Sequence, residues 1–263
     1  MRTAHEAPLC IFDLVQSVTD YDYALVHLYE ENQTYLDKFI EAIQKGRHVI
    51  LDNSVFELEE AFDSDRFLYW INKTAPTEYI IPDVLEDSGG TVQRLGEWLA
   101  LYKPQVRTDS KTIGVVQGTD FDDIVWCYNA IAPKVDKVAI SFDYSFMCPE
   151  RNYTAPTRCE VFMRGRQRLL ADLLKANVID QSKPHHLLGT FLPQEFIAYK
   201  EYSWVDTIDT SNPVVHGING ISYEPYGLRE KVKTKLIDYM NEELTAEQIH
   251  TIMSNIRKFR EFV

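Results

Sequence analysis

Residues 112–142 read TIGVVQGTDFDDIVWCYNAIAPKVDKVAISF, and this stretch decides the fold. Residues 112–117 form a short apolar run, 121–131 an amphipathic segment and 137–142 a second apolar run. A strand, a helix and a strand in succession make a β-α-β unit, which joins parallel strands. The same alternation extends to both sides. Further strand-like runs occupy residues 10–15, 23–29, 48–51, 79–82, 185–188 and 205–209, and further helical patterns occupy 32–45, 65–73, 88–102, 159–176 and 193–199. In the first of these helices Tyr35, Phe39, Ile40 and Ile43 show the three-four spacing of one buried face. Eight candidate strands in 263 residues favour an α/β fold of the closed (β/α)8 TIM-barrel type over an open doubly wound sheet. The expectation is a single domain over residues 1–263. Between the first two runs there is no room for a helix, so one of them is expected to be a plug or hairpin. The tail, residues 228–263, reads as two helices. The second starts at Thr245, whose capping box is completed by Gln248.

Composition narrows the function. Lys+Arg 27 against Asp+Glu 40 gives a net charge of −13, with 45% hydrophobic and 12% aromatic residues. Such a chain is globular rather than disordered. It has no apolar run near the roughly 20 residues needed to span a bilayer. Residues 1–8 carry Arg2, His5 and Glu6 without an apolar core, so no secretory signal is expected, and the expected location is cytoplasmic. Cys10, Cys127, Cys148 and Cys159 are isolated, which argues against a cysteine zinc site or a disulfide framework. The acidic balance excludes coating of nucleic acid through bulk charge, but not binding through a local basic patch.

Polar residues close five of the apolar runs: Asp52-Asn53-Ser54, Asp83, Gln117-Gly118, Asp143 and Asp209. In a parallel barrel the C-terminal strand ends share one face, and that face carries the active site. Each Asp taken singly also reads as a helix N-cap. Four carboxylates and one amide on five strands suit recognition of a hydrogen-bonding ring and stabilisation of developing positive charge.

Other signals are weaker. His185 and His186 are adjacent on a strand and point to opposite faces, so they cannot share one metal; one core and one cleft-facing imidazole are expected. Gly217 and Gly220 follow the last run, where barrels often bind phosphate, although a plain turn explains them as well. Residues 151–168 hold Arg151, Arg158, Arg164, Arg166 and Arg168, with Tyr153 among them and Glu160 as the one acid beyond Arg151. That stretch reads either as a nucleic-acid contact at the active-site rim or as a solvated helix face. A second basic run, residues 229–235, adds to the former reading.

The strand-end motifs resemble the tRNA-guanine (queuine/archaeosine) transglycosylase superfamily, most closely its phage 7-deazaguanine DNA transglycosylases. Leu51-Asp52-Asn53-Ser54-Val55-Phe56-Glu57 is similar to the family's Asp-Ser/Asn-Gly-Gly/Ala-Phe-Gln/Glu segment, and Pro82-Asp83 stands where the family has an Asp that reads the guanine edge. Gly114-Val115-Val116-Gln117-Gly118 resembles its Gly-Ile-Val-Gln-Gly run, and Leu187-Leu188-Gly189 its Leu-Met-Gly wall of the base pocket. Residues 205–209 and Pro213 resemble its Val-Asp-Met-Phe-Asp … Pro motif, whose second Asp is the nucleophile. Ser141-Phe142-Asp143 replaces the family's Gly-Gly-Leu stretch, and its Arg-Thr-Arg positions are unmatched after Pro213. The zinc subdomain, a C-x-C-x-x-C with a later His, is absent, which with the short length points to the DNA branch.

The resemblance implies a TIM barrel that exchanges guanine in DNA, or in tRNA, for a free 7-deazaguanine base of the preQ0 type. It implies Asp209 as nucleophile and Asp52 as general base. Substrate contacts are expected from Asp83, Gln117, Gly118, Leu188, Gly189, Asp143 and Phe56. The reaction needs no metal or other cofactor, and no membrane partner is expected. If the gene is phage-borne, the place of action is the host cytoplasm. A rival reading is a barrel that holds Mg²⁺ on its carboxylates and acts on a small molecule. A third is a nucleic-acid-binding barrel without catalysis.

Overall fold

The computed structural model describes residues 1–152 and 156–263. The strands are β1 (Arg2–Ala4), β2 (Asp22–Leu25), β3 (Val49–Asp52), β4 (Glu78–Ile80), β5 (Lys111–Val116), β6 (Lys137–Ile140), β7 (His185–Leu187) and β8 (Val205–Asp209). The α-helices are α1 (Phe12–Gln16), α2 (Val26–Glu31), α3 (Gln33–Gln44), α4 (Val55–Leu58), α5 (Ser64–Thr74), α6 (Ser88–Glu97), α7 (Phe121–Ile131), α8 (Arg158–Lys175), α9 (Asn212–Ile218) and α10 (Ala246–Phe262). The eight strands form one parallel sheet in the order β1-β8-β7-β6-β5-β4-β3-β2, a nearly closed (β/α)8 barrel of the TIM class. The registers tie strand ends together, with Ala4 opposite Asp209 and Leu25 opposite Asp52.

The first run of the sequence is corrected. Residues 10–15 are not a strand: a 3₁₀ turn, Leu9–Ile11, leads into α1. The reason lies in the spacing of Ile11 and Val15, four apart on one helical face, which packs with Val214, Ile218, Ile252 and Ile256. The true first strand is only three residues long and holds Arg2 and Thr3, so it lacks an apolar signature. The run 23–29 divides, because the chain turns from β2 into α2 at Val26. In the tail only α10 is an α-helix, and a 3₁₀ turn, Leu236–Tyr239, stands where another was expected. Thr245 and Gln248 form the expected capping box.

The chain parts into two compact units. The first comprises Met1–Asp20, Phe142–Ala176 and Leu187–Val263. Its core joins α1, α9 and α10, and Gly217 lets Ile252 of α10 approach α9 at backbone distance. That packing role replaces the phosphate-loop reading of Gly217. The second unit comprises Tyr21–Ser141 and Asn177–His186. Its strands β3, β5 and β6 are buried from end to end except Lys111, as in a parallel sheet covered on both faces. Asn32, Asp63 and Asp120 cap α3, α5 and α7 by accepting backbone N–H bonds, which is why those helices start where the sequence places them.

Candidate active site

Within the second unit the ends of β3, β4 and β5 build a carboxyl–amide array. Asp52 is the last residue of β3 and is buried; its Oδ2 accepts from Ser54 N at 3.0 Å. This bond holds Ser54 in the left-handed region at φ 60°, and the chain turns into α4. Asn53 faces β4. Its Nδ2 donates to Ile81 O at 3.0 Å and to Asp83 Oδ1 at 2.8 Å, while its Oδ1 accepts from Val55 N at 2.9 Å. Gln117, just beyond β5, donates from Nε2 to Asp83 Oδ2 at 2.7 Å and accepts at Oε1 from Glu86 N at 3.1 Å.

Backbone N–H groups therefore fix both amides oxygen-outward, and both present N–H to Asp83. The Asp83 partners are two neutral amides. Burial pushes its carboxyl above the ordinary range, opposed by the two amide bonds. Asn53 has committed its donors and its oxygen, and Gln117 keeps one N–H in reserve. The array thus offers a carboxyl with spare lone pairs and an amide donor, the complement of a purine edge. Gly118 is buried against the start of α7, where a Cβ would come within 3.0 Å of Asp123 Oδ2. Phe56 lies outside this hydrogen-bonded set and is 59% exposed on α4.

Within the first unit, Asp209 ends β8 and is buried. Asp206, three residues earlier, points elsewhere and pairs with Arg2 at 2.7 Å. Asp209 Oδ1 accepts from Gly189 N at 3.4 Å. Gly189 has φ 54°, and a Cβ there would lie 3.2 Å from the Phe142 ring. Leu188, half-buried, precedes it in the turn after β7. Asp143 is half-buried after β6 and accepts from Ser145 N at 3.2 Å, which makes it a turn cap in this structure.

Two sequence expectations fail here. Arg166 is 0% exposed and cannot meet nucleic acid. Its Nε and Nη2 donate to Glu195 at 2.6 and 3.1 Å, and Nη1 and Nη2 donate to the carbonyls of Leu188 and Gly189, each at 2.8 Å. The reason is its place on α8, four residues after Phe162 and three before Leu169, both buried. Arg151, Arg158, Arg164 and Arg168 are exposed, and Tyr153 lies outside the described residues. Nor is either imidazole of the His185-His186 pair cleft-facing, since both are fully buried. His185 bonds Tyr128 Oη at 3.0 Å, and His186 stacks on Tyr23.

Sequence reasoning missed Asn53 as the clasp of Asp83, and it missed Glu195 altogether. The first stood inside a quoted motif; the second meets Arg166 across 29 residues with no local signal. A basic feature that joins the arginine run to the second basic run also emerges. Phe162 and Phe191 stack at 4.2 Å, with the Arg158 guanidinium 5.4 Å over the first ring and the Lys231 ammonium 4.9 Å over the second. Among the described residues no group of three or more His, Cys, Asp or Glu is placed to hold a metal ion, and no helix is long and apolar enough to cross a membrane. Compared with protein-family models and with curated proteins, the chain matches none.

Proposed function

We propose that this barrel is a base-exchange transglycosylase that replaces guanine in DNA by a 7-deazaguanine base. The observation that carries the reading is the Asp83 carboxyl clasped between the oriented amides of Asn53 and Gln117 at the ends of three parallel strands. Such an array reads the edge of a flat heterocycle, and the position at strand C-termini is where barrels carry their chemistry. Buried Asp52 ends β3, one of those three strands, and buried Asp209 ends β8.

In the proposed reaction the Asp209 carboxylate attacks C1′ of the target nucleotide, and the C1′–N9 bond breaks through an oxocarbenium-like transition state. Guanine departs with the bonding pair on N9 and takes a proton from solvent, while the sugar stays esterified to Asp209. Asp52 removes the N9 proton of the incoming deazaguanine, whose nitrogen displaces the Asp209 oxygen from C1′. Double inversion retains the sugar configuration. The target base has to leave the helix stack first, which calls for contacts to the flanking backbone.

The test is incubation with duplex DNA, and separately with tRNA, carrying labelled guanine, together with preQ0. Mass spectrometry of the digested nucleosides should show the deazaguanine nucleoside in the DNA sample, with labelled guanine released. Incorporation into tRNA alone would move the substrate, and incorporation into neither would end the proposal.

A further inference from the structure

We propose that Arg166 and Glu195 are positioning residues for Asp209, acting through the single peptide unit between Leu188 and Gly189. The inference rests on the reading of Asp209 as the nucleophile. In a trans peptide the C=O and N–H of one unit point in opposite directions. Arg166 Nη1 holds the Leu188 carbonyl at 2.8 Å, and the N–H of that same unit, on Gly189, faces Asp209 Oδ1 at 3.4 Å. A second bond, from Nη2 to the Gly189 carbonyl, fixes the next unit as well, so the turn cannot rotate about either peptide. Gly189 takes a left-handed φ of 54°, a conformation glycine adopts without a Cβ penalty.

The guanidinium is itself immobilised. Glu195 grips it with both oxygens and also accepts from Tyr199 Oη at 2.7 Å and Thr190 Oγ1 at 3.0 Å. Lysine could not substitute, because a point ammonium lacks the planar fork that serves a carboxylate and two carbonyls together. A buried ion pair is a poor source of net stability compared with apolar packing of the same volume. Its use here is orientation. The 3.4 Å contact is long, as donors to a reacting group often are before substrate loads the site.

The experiment uses the full chain labelled with ¹⁵N-glycine, which gives 11 glycine amides. The double variant Arg166→Met with Glu195→Gln removes both charges and leaves an acceptor for Tyr199 and Thr190. Its Gly189 amide should exchange with solvent at least about tenfold faster than in the wild type, as should that of Asp209→Ala. In base exchange, kcat should fall about 10- to 100-fold, a loss that saturating free base does not restore, since the carboxylate is misplaced along with the turn that holds it. Should the double variant fail to fold, Arg166→Lys is read by the same two measurements. A folded variant whose Gly189 amide exchanges at the wild-type rate overturns the inference, and so does a loosened amide with unchanged kcat. If the wild type exchanges no base at all, the proposed function fails, and the amide measurement still decides whether Arg166 holds the turn at Asp209.

Discussion

Lys137, the first residue of β6, donates from Nζ to Glu78 Oε2, at the start of β4, across 2.6 Å, although the lysine is only 1% exposed. His48 Nε2 lies 3.2 Å from the same oxygen. Burial would raise the Glu78 carboxyl; the His48 bond and the Lys137 charge outweigh it and hold it at about 2. A folded-state pKa below the unfolded one makes the contribution full above the ordinary carboxylate range and lost as pH falls toward 2. Lys137→Met leaves a buried carboxylate short of its cation, which costs about 3–5 kcal/mol at pH 7. Urea unfolding should show the gap between wild type and variant narrowing below pH 4. A gap that stays constant down to pH 2.5 would remove Glu78 from the account.

In the proposed function Asp83 carries the recognition role. A buried hydrogen-bonding group left without its partner costs about 1–3 kcal/mol. Asp83→Ala strands the Asn53 and Gln117 amides together and deletes the acceptor for the base. Calorimetry should show deazaguanine affinity at least tenfold weaker, and a thermal melt should show a destabilised protein. Unchanged affinity removes Asp83 from the pocket.

In the proposed function nucleic acid meets the exposed arginines, and buried Arg166 takes no part. Each phosphate contact adds about one unit to the salt slope of binding. Replacing Arg158, Arg164 and Arg168 by Ala should flatten the slope of oligonucleotide binding and leave free-base binding intact. Lys231→Ala, which removes the cation over Phe191, should act in the same direction. A slope equal to that of the wild type would return these side chains to a solvated face. Arg168 is paired with Asp172, 3.6 Å away one turn along α8.

The barrel was legible where periodicity and strand ends agree. Val49–Asp52, Lys111–Val116 and Val205–Asp209 are apolar runs closed by polar residues, and the structure keeps each within a residue or two of its sequence bounds. β1 was hidden because three residues with one apolar side chain carry no period. Arg166 misled through its company, since five arginines in 18 residues read as a surface. The spacing held the correction: Phe162, Arg166, Leu169 and Leu173 lie on one face of α8, and the other three are apolar. Glu195 was out of reach, as was the clasp on Asp83, because both depend on contacts made across the fold rather than along it.

The roles of Asp209, Asp206 and Asp52 can be separated by one assay. Asp206 and Asp209 are three apart on β8, so their side chains face oppositely, and Asp206 is engaged with Arg2 in a half-exposed pair. Asp209 is the buried strand-end residue, with the Gly189 N–H directed at its oxygen. Without a nucleophile no glycosyl-enzyme ester can form. Asp209→Ala should therefore abolish both base exchange and any enzyme–nucleic acid adduct that survives a denaturing gel. Asp52→Ala removes a proton-transfer group and should lower turnover about 10²–10⁴-fold. The first displacement does not require deprotonation of the incoming base, so this variant should still form the adduct and accumulate it. Asp206→Ala should keep the adduct and most of the activity, and lose only the small stability of a partly exposed ion pair, about 1 kcal/mol or less. An adduct from Asp209→Ala with none from Asp52→Ala would exchange the two roles. Loss of the adduct in Asp206→Ala alone would move the nucleophile to the other face of β8.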